Sequence, residues 1–300
     1  ILKTWNMPQE KAFEMESLIF SRLAVSSVSR ALVGILFAET ESKRMPEGAF
    51  EVRARLVSLR REDRERRFNK VRVDVGRDGV FGFGHLGHGL VQVHAGEIDG
   101  KDAMLMLIRD ICFKGRNDLI DKVNIVFIPV LNADGHERSS MYSRPNQRGP
   151  VSMGWRNTAQ NLNLNRDYMK ADAPEMQSLL GLINRYNPDF YIDLHVTDGM
   201  DYQYDITYGF DGWDGLYADS PAIGKWLNDV YRPKADAALK GGGHIPGPLI
   251  FMRDDADLSK GTDLNAFGPR FSNAYGDLRR MPTVLVENHS LKPYRQRVLG

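Results

Sequence analysis

Three apolar runs constrain the fold of this chain more than any other feature of its sequence. Residues 123–130, 190–196 and 283–287 are almost continuously apolar, which is typical of strands buried on both faces of a sheet. Segments with helical spacing of apolar residues precede the first two runs, at 99–114 and 174–186. Asp99 is the expected cap of the first helix, and Asn132–Gly135 is the expected turn after the first run. Alternating helices and buried strands predict an α/β fold, with a mixed, mostly parallel twisted sheet and helices on both faces.

Composition narrows the class of protein. With 300 residues, 42% hydrophobic and 26% charged, the chain resembles an ordinary soluble globular protein. A net charge of +1 gives no reason to expect a nucleic-acid partner. Arg22 and Arg30 interrupt the apolar stretch near the start, so no stable membrane insertion is predicted. Cys112 is the one cysteine, which excludes a multi-cysteine zinc site.

The first 88 residues are harder to interpret. Residues 9–38 show helical spacing, and alternating patterns within 39–75 suggest half-exposed strands. The glycine-rich segment 76–89 contains the spacing G-x-G-x-x-G. A strand-like run follows it, not the helix whose N-terminus would hold a phosphate, so we interpret this segment as a flexible loop.

Residues capable of chemistry stand where three of the predicted strands end. These are His94, His195 and Glu287, and Glu97 follows His94 by three residues. In open α/β sheets, ligands bind beyond the carboxyl ends of the strands. Two imidazoles and one carboxylate are the protein ligands of a catalytic zinc ion whose fourth position is open to water. The sequence therefore predicts a zinc site formed by His94, Glu97 and His195.

Glu287 is the candidate general base of such a site. Zinc lowers the pKa of bound water from roughly 15.7 toward about 7. A carboxylate beside that water can take its proton and pass it to a leaving amine. Taken without the histidines, Glu287 would be interpreted as a strand-end acid in a salt bridge.

Six short motifs occur in an order that has a counterpart in a known family. They are His94-Ala-Gly-Glu97, Pro129-Val-Leu-Asn-Ala-Asp-Gly135, Trp155-Arg156, Asn163-Leu-Asn165-Arg166-Asp167, Asp193-Leu-His195 and Val284-Leu-Val-Glu287. Together they resemble the motifs of the zinc carboxypeptidases, the funnelin metallopeptidases of carboxypeptidase A type. The resemblance covers about residues 90–297, and it implies the sandwich fold of that family.

The resemblance implies a role for each matched residue. One zinc ion per chain would be held by His94, Glu97 and His195. Glu287 would activate the water. Arg156 would stabilise the oxyanion, where one well-placed donor is worth about 3–4 kcal/mol. Arg166, helped by Asn165, would bind a carboxylate of the substrate through paired N–H bonds.

The sequence departs from the family pattern at several positions. Asn163 stands where the family often has an aspartate that orients the first histidine. An amide oxygen can accept the imidazole N–H but adds no charge. No tyrosine matches the substrate-capping tyrosine of the family, and Tyr208 and Tyr275 are the candidates.

The predicted function is zinc-dependent hydrolysis of a peptide bond next to a free C-terminal carboxylate. One alternative is an amidohydrolase or deacylase acting on N-acyl amino acids, so the expected partner is a peptide or a small acyl-amino acid. Another is an inactive or truncated peptide-binding domain. We predict a poorly matched N-terminal segment, 1–88, packed on the same domain, and a catalytic domain, 89–300, shortened at its C-terminus. A secreted or periplasmic location is favoured over a cytoplasmic one.

Overall fold

The computed structural model describes residues 74–75, 86–120, 123–254, 256–264 and 267–300. The helix predicted within 9–38 and the strand pattern before residue 74 lie outside these residues. Within them, the strands are β1 (Asp74–Val75), β2 (Leu86–Gln92), β3 (Val123–Ile128), β4 (Phe190–Val196), β5 (Ile206–Gly209), β6 (Pro246–Pro248), β7 (Phe251–Met252), β8 (Thr262–Asp263) and β9 (Thr283–Asn288). The α-helices of the same residues are α1 (Asp99–Phe113), α2 (Ala133–Glu137), α3 (Pro174–Tyr186), α4 (Pro221–Trp226), α5 (Arg232–Gly241), α6 (Ser272–Leu278) and α7 (Tyr294–Leu299).

One mixed sheet organises the described part of the chain. Its seven strands lie in the order β1-β3-β2-β4-β9-β5-β6. The central strands β3, β2, β4 and β9 run parallel to one another, whereas β1 pairs antiparallel with β3 and β5 pairs antiparallel with β9. The edge strand β6 pairs in parallel with β5. A parallel centre places the carboxyl ends of β2, β4 and β9 side by side at one edge, which is where a ligand site is expected.

Helices cover both faces of this sheet because its central strands are apolar on both sides. On one face, Val91 of β2 packs in a cluster with Met176 and Leu179 of α3. Its neighbour Leu90 points to the opposite face and joins Met104 of α1. Successive side chains of a strand alternate between faces, so one strand supports both layers. The predicted α/β class and the mostly parallel sheet are confirmed.

Several local predictions are also confirmed, and three are wrong. The predicted helices at 99–114 and 174–186 are α1 and α3, and Asn187 ends α3 in the left-handed conformation. The predicted turn at Asn132 is the start of the short helix α2. The segment predicted to be loop up to residue 89 already enters β2 at Leu86. Among the helices that the structure describes, none has the length and apolarity needed to cross a membrane.

The third wrong prediction concerns Asp99, which was expected to cap α1. The cap position is Ile98, and no side chain caps that helix end. Instead, Asp99 accepts a hydrogen bond of 3.0 Å from the Arg297 guanidinium, and both side chains are fully buried. Arg297 also donates to the carbonyls of Gly149 and Ser290. This buried arginine therefore joins α7 to the first turn of α1, to the loop between α2 and α3 and to the segment after β9.

Candidate metal centre

The strand ends bring the predicted metal ligands to one place. Strands β2 and β4 pair in parallel, as do β4 and β9. His94 lies two residues beyond the end of β2, and His195 lies near the end of β4. Glu287 of β9 is the register partner of His195. Residues paired in this way project to the same face of a sheet, so Glu287 lies beside the histidine.

His94, Glu97 and His195 form a compact, buried cluster. Their side chains are 1%, 2% and 2% exposed, and their potential ligand atoms all lie within 4.8 Å of one another. A turn in which the Glu97 N–H donates to the His94 carbonyl, at 3.1 Å, returns the carboxylate toward the histidine. The two imidazole centroids are 5.1 Å apart. Ligands this close can bind a single cation without large movement of the backbone.

The unpaired atoms of this cluster fit a zinc ion. Among the described residues, neither ring nitrogen of His94 has a hydrogen-bond partner, although the residue is buried. Leaving buried polar atoms unpaired is costly, and a cation would use one of these nitrogens. His195 Nδ1 lies 3.0 Å from Glu97 Oε2, so both atoms face the same point. Two imidazoles and one carboxylate are a common protein ligand set for catalytic zinc.

Burial and mutual charge set the protonation of the three ligands. Burial lowers the pKa of His94 well below its usual value, which keeps a lone pair available for a metal. Burial acts to raise the pKa of Glu97, but His94, Arg144 and His195 outweigh it and hold that pKa well below normal. Burial likewise opposes protonation of His195, but Asp193 and Glu97 outweigh it and raise its pKa well above normal.

Asp193 is a member of this site to which the sequence analysis assigned no role. Its Oδ2 lies 2.9 Å from His195 Nε2, on the side of the ring away from Glu97. Both residues are almost fully buried. A carboxylate on the second nitrogen fixes the tautomer and orientation of a metal-binding histidine. The sequence could have indicated this contact, because Asp193 and His195 are two residues apart on a predicted strand and therefore share one face.

We expect Asp193→Asn to weaken zinc binding by about 10- to 100-fold, since an amide cannot hold the imidazole as strongly as a carboxylate. The dissociation constant can be measured by competition with a chromogenic chelator. Asp189→Asn, an exposed change just before β4, is the control and should leave the constant unchanged. Equal zinc affinity in Asp193→Asn and the parent would show that Asp193 does not orient His195.

Arg144 is a second residue that the sequence did not reveal. Its guanidinium donates to Glu97 Oε1 at 2.5 Å, and it is 5% exposed. The backbone N–H of Val196 donates to the other carboxylate oxygen at 3.1 Å. Charge-assisted hydrogen bonds of this kind are strong and directional. Glu97 is therefore held from both sides, by a loop arginine and by the end of β4.

Arg156, to which the family resemblance assigns the oxyanion, lies close to the ligand cluster. Its Nη1 is 3.6 Å from Glu97 Oε1, and its side chain is 32% exposed. Asn132 holds the backbone beside it by donating through Nδ2 to the Arg156 carbonyl at 2.9 Å, while its Oδ1 accepts from Gly135 N. One amide side chain thus fixes both the start of α2 and the segment that carries Arg156.

Three close-packed glycines join the same segments. Glycines 96, 135 and 154 lie where backbones touch, so that a Cβ added to Gly96 would come within 2.5 Å of the Gly154 carbonyl oxygen. A Cβ on Gly154 would lie 2.7 Å from the Ala95 oxygen and 2.8 Å from the Gly135 oxygen. The Trp155 N–H donates to the Gly135 carbonyl at 2.8 Å. We call this contact the glycine junction, and it links the His94–Glu97 turn to the segment of Arg156.

Arg166 and Asn165 stand in a short 3-10 turn, Leu164–Arg166. Arg166 Nη1 donates to the Asn165 carbonyl at 2.6 Å, and its guanidinium lies over the ring of Phe271 at 4.4 Å. Asn165 is 7% exposed, and its Oδ1 has no partner among the described residues. Asn163 Oδ1 accepts from the Asn165 N–H. The structure shows no bond from Asn163 to His94, so the expected orienting contact is absent from the described residues.

Glu287 is half-buried, and the carboxylates of Glu97 and Asp198 lie near it. Burial raises its pKa to about 8, and the charges of Glu97 and Asp198 act in the same direction, whereas His195 opposes them. A cation at the ligand cluster would favour the carboxylate form. The pKa of Tyr202 is raised by burial and by Glu287, so this tyrosine lies near the site. The candidate Tyr208 instead donates to Asp236 at 2.6 Å, and Tyr275 contacts Arg279.

Comparison with known proteins supports one family. A family model described as zinc carboxypeptidase matches residues 91–240, which is half of the chain. No curated protein matches the sequence. Two solved structures are similar: a metallo-carboxypeptidase from Burkholderia cenocepacia and a proposed carboxypeptidase A from Shewanella denitrificans.

Both structures show the same degree of similarity. Each has a TM-score of 0.53 and 16% sequence identity, over 76% of this chain and 57% of the matched chain. The chain thus spans little more than half the length of these structures, and at this identity they establish the fold alone. The family model covers the strand ends that carry His94, Glu97 and His195. The chain belongs to the zinc carboxypeptidase family.

Proposed function

We propose that this protein is a zinc-dependent carboxypeptidase, which hydrolyses the peptide bond next to a free C-terminal carboxylate. The observation that carries the proposal is the convergence of His94, Glu97 and His195 within 4.8 Å, in a buried site. Glu287 is the register partner of His195. A protein that only bound peptides would need no such acid beside a metal site.

The positions of the side chains support a role for each residue in this proposal. Zinc held by the three ligands would supply an activated water and polarise the scissile carbonyl. Glu287 accepts the proton of that water at its carboxylate and delivers it to the nitrogen of the leaving amine. Arg156 donates its N–H groups to the oxygen of the substrate carbonyl as negative charge develops there.

Arg166 and Asn165 are proposed to bind the substrate's terminal carboxylate. Arg166 is half-buried, and its guanidinium can offer two parallel N–H bonds to a carboxylate. Asn165 adds an amide in a buried position whose oxygen is unpaired among the described residues. The charge of Glu287 acts on Arg166, which supports a place for the bound carboxylate near the reacting atoms.

The deacylase alternative shares the metal ligands and differs in what binds beyond the scissile bond. Three substrates separate the two functions: a peptide with a free C-terminus, the same peptide amidated, and a small N-acyl amino acid. We expect hydrolysis of the free peptide and at least a tenfold lower kcat/KM for its amide, because the amide loses the charge-assisted bonds to Arg166. Preference for the N-acyl amino acid would support the deacylase.

Metal removal tests the proposal directly. We expect the purified protein to contain one zinc ion per chain by elemental analysis, and to lose peptidase activity after dialysis against a chelator. Adding zinc to the apoprotein should restore activity. His94→Ala is the matched variant and should neither bind zinc tightly nor regain activity, because two ligands rarely hold zinc in a protein. Full activity in the metal-free protein would contradict the proposal.

Two further expectations stay predictions. A secreted or periplasmic location can be tested by fractionating cells that express the full gene. The boundary between 1–88 and 89–300 can be tested by limited proteolysis, although β1 already lies in the same sheet as the later strands.

A further inference from the structure

Arg270, an arginine with no role assigned so far, lies beside Arg166, the proposed carboxylate-binding residue. The guanidinium carbon of Arg166 is 4.4 Å from the centroid of the Phe271 ring, and that of Arg270 is 4.9 Å from the same centroid. The two guanidinium groups are therefore no more than about 9 Å apart, each within cation–π range of one ring. Phe271 also packs against Phe267, so the ring is a supported platform.

The charges around this platform are unbalanced. Burial lowers the pKa of Arg166, and the charges of Arg156 and Arg270 lower it further, opposed by Asp198 and Glu287. Arg270 is exposed and has no ion pair with any described residue. Two other exposed arginines, Arg116 and Arg253, each pair with a carboxylate, that of Asp118 and that of Asp263. Like charges held close together at a substrate site are stabilised when an anion binds between them.

The proposed reaction assigns no role to Arg270. Arg166 is sufficient to bind one terminal carboxylate, and Arg156 is assigned to the oxyanion. A substrate residue with two carboxylates could engage Arg166 through its terminal group and Arg270 through its side chain. The short acidic side chains of aspartate and glutamate can span the separation between the two guanidinium groups.

We propose that Arg270 determines specificity, and that the enzyme prefers peptides whose C-terminal residue is acidic. This inference rests on the proposed carboxypeptidase activity and names its substrate class. Arg270 acts by binding the side chain of the terminal residue through charge-assisted hydrogen bonds. Arg270 takes no part in the bond-breaking step. It therefore changes the ratio of kcat/KM between substrates that differ in their last residue.

Paired peptides that differ only in their last residue test the proposal. One ends in Glu and the other in Gln, which has nearly the same shape and no charge. For the zinc-loaded full chain, we expect kcat/KM to be about tenfold higher for the Glu peptide, in the range for a hydrogen bond to a charged group. Arg270→Gln should reduce this ratio to near one, because the charge that distinguishes the two peptides is removed.

Two further variants separate charge from structure. Arg270→Lys should keep part of the preference, because the charge remains but the paired geometry is lost. Arg270→Glu should disfavour the Glu peptide and favour one that ends in Lys. Arg295→Gln, an exposed change on α7, is the control and should behave as the parent.

The outcomes distinguish this inference from the function on which it rests. Hydrolysis of both peptides with a Glu-to-Gln ratio that Arg270→Gln does not alter would overturn the role of Arg270 and leave the carboxypeptidase proposal standing. Absence of hydrolysis for every peptide, in a chain that contains zinc, would overturn the function itself.

Discussion

Glu287→Gln is expected to lower kcat for peptide hydrolysis by about 10²- to 10⁴-fold, the usual contribution of a positioned general acid–base group. The glutamine has the same shape but cannot accept the proton of the attacking water. Glu287 is not one of the three clustered ligands, so the zinc content should stay at the parent value. Steady-state kinetics and elemental analysis of the same preparation measure both quantities.

Glu175→Gln is a matched control for this experiment. Glu175 is a buried glutamate whose pKa is raised by burial, as is that of Glu287, but it lies in the first turn of α3. If burial of a carboxyl group alone were important, both variants would lose activity. We expect Glu175→Gln to retain kcat within about twofold. Parental turnover in Glu287→Gln would show that another group accepts the proton.

The pH dependence of the parent enzyme gives a second test of Glu287. The group must be ionised to act as a base, so kcat/KM should rise with pH through its pKa. That pKa is about 8 in the protein without a cation, and a cation bound beside it should move the acidic limb to lower pH. An acidic limb above pH 8 in the zinc enzyme would contradict this assignment.

Arg297→Met is expected to cost about 3–5 kcal/mol in the free energy of unfolding, the usual result of removing one partner from a buried ion pair. The change leaves Asp99 fully buried without its cation. It also removes the donors to the carbonyls of Gly149 and Ser290. Urea denaturation, followed by circular dichroism at fixed zinc concentration, measures the difference.

Arg295→Met, on the exposed side of the same helix α7, should change that free energy by less than about 0.5 kcal/mol. The double variant Asp99→Leu with Arg297→Met tests the cause. Because an apolar pair can replace a buried ion pair at little cost, it should recover part of the stability lost in Arg297→Met. No recovery would show that the carbonyl contacts of Arg297 account for most of its effect.

The parts of the fold that the sequence predicted are those with a strong local pattern. The runs that became β3, β4 and β9 are apolar on both faces, and such runs in alternation with helices have few other solutions. His195 could be singled out because it lies near the end of the run that became β4, and His94 because it follows the shorter apolar run that became β2. The parallel pairing that aligns the strand ends then brings the side chains together.

The parts that could not be predicted depend on contacts between distant residues. Arg144 bonds to Glu97 across 47 residues, and Arg297 bonds to Asp99 across 198. A loop has no periodic sequence pattern, so the residue that a loop arginine contacts cannot be predicted from the sequence around it. Asp99 looked like a helix cap because aspartate favours that position. A buried arginine from the other end of the chain used its carboxylate instead, which no local pattern could indicate.

The glycine junction has a consequence for how this protein can change. The main chain of the segment that carries Arg156 packs directly against the main chain of the histidine turn, so backbone contacts limit the distance between the two segments. Evolution or engineering can therefore tune the pocket through Arg270 or Phe271, one substitution at a time. The spacing between the Arg156 segment and the His94–Glu97 turn has no such adjustment, and any residue larger than glycine at these positions would push the two segments apart.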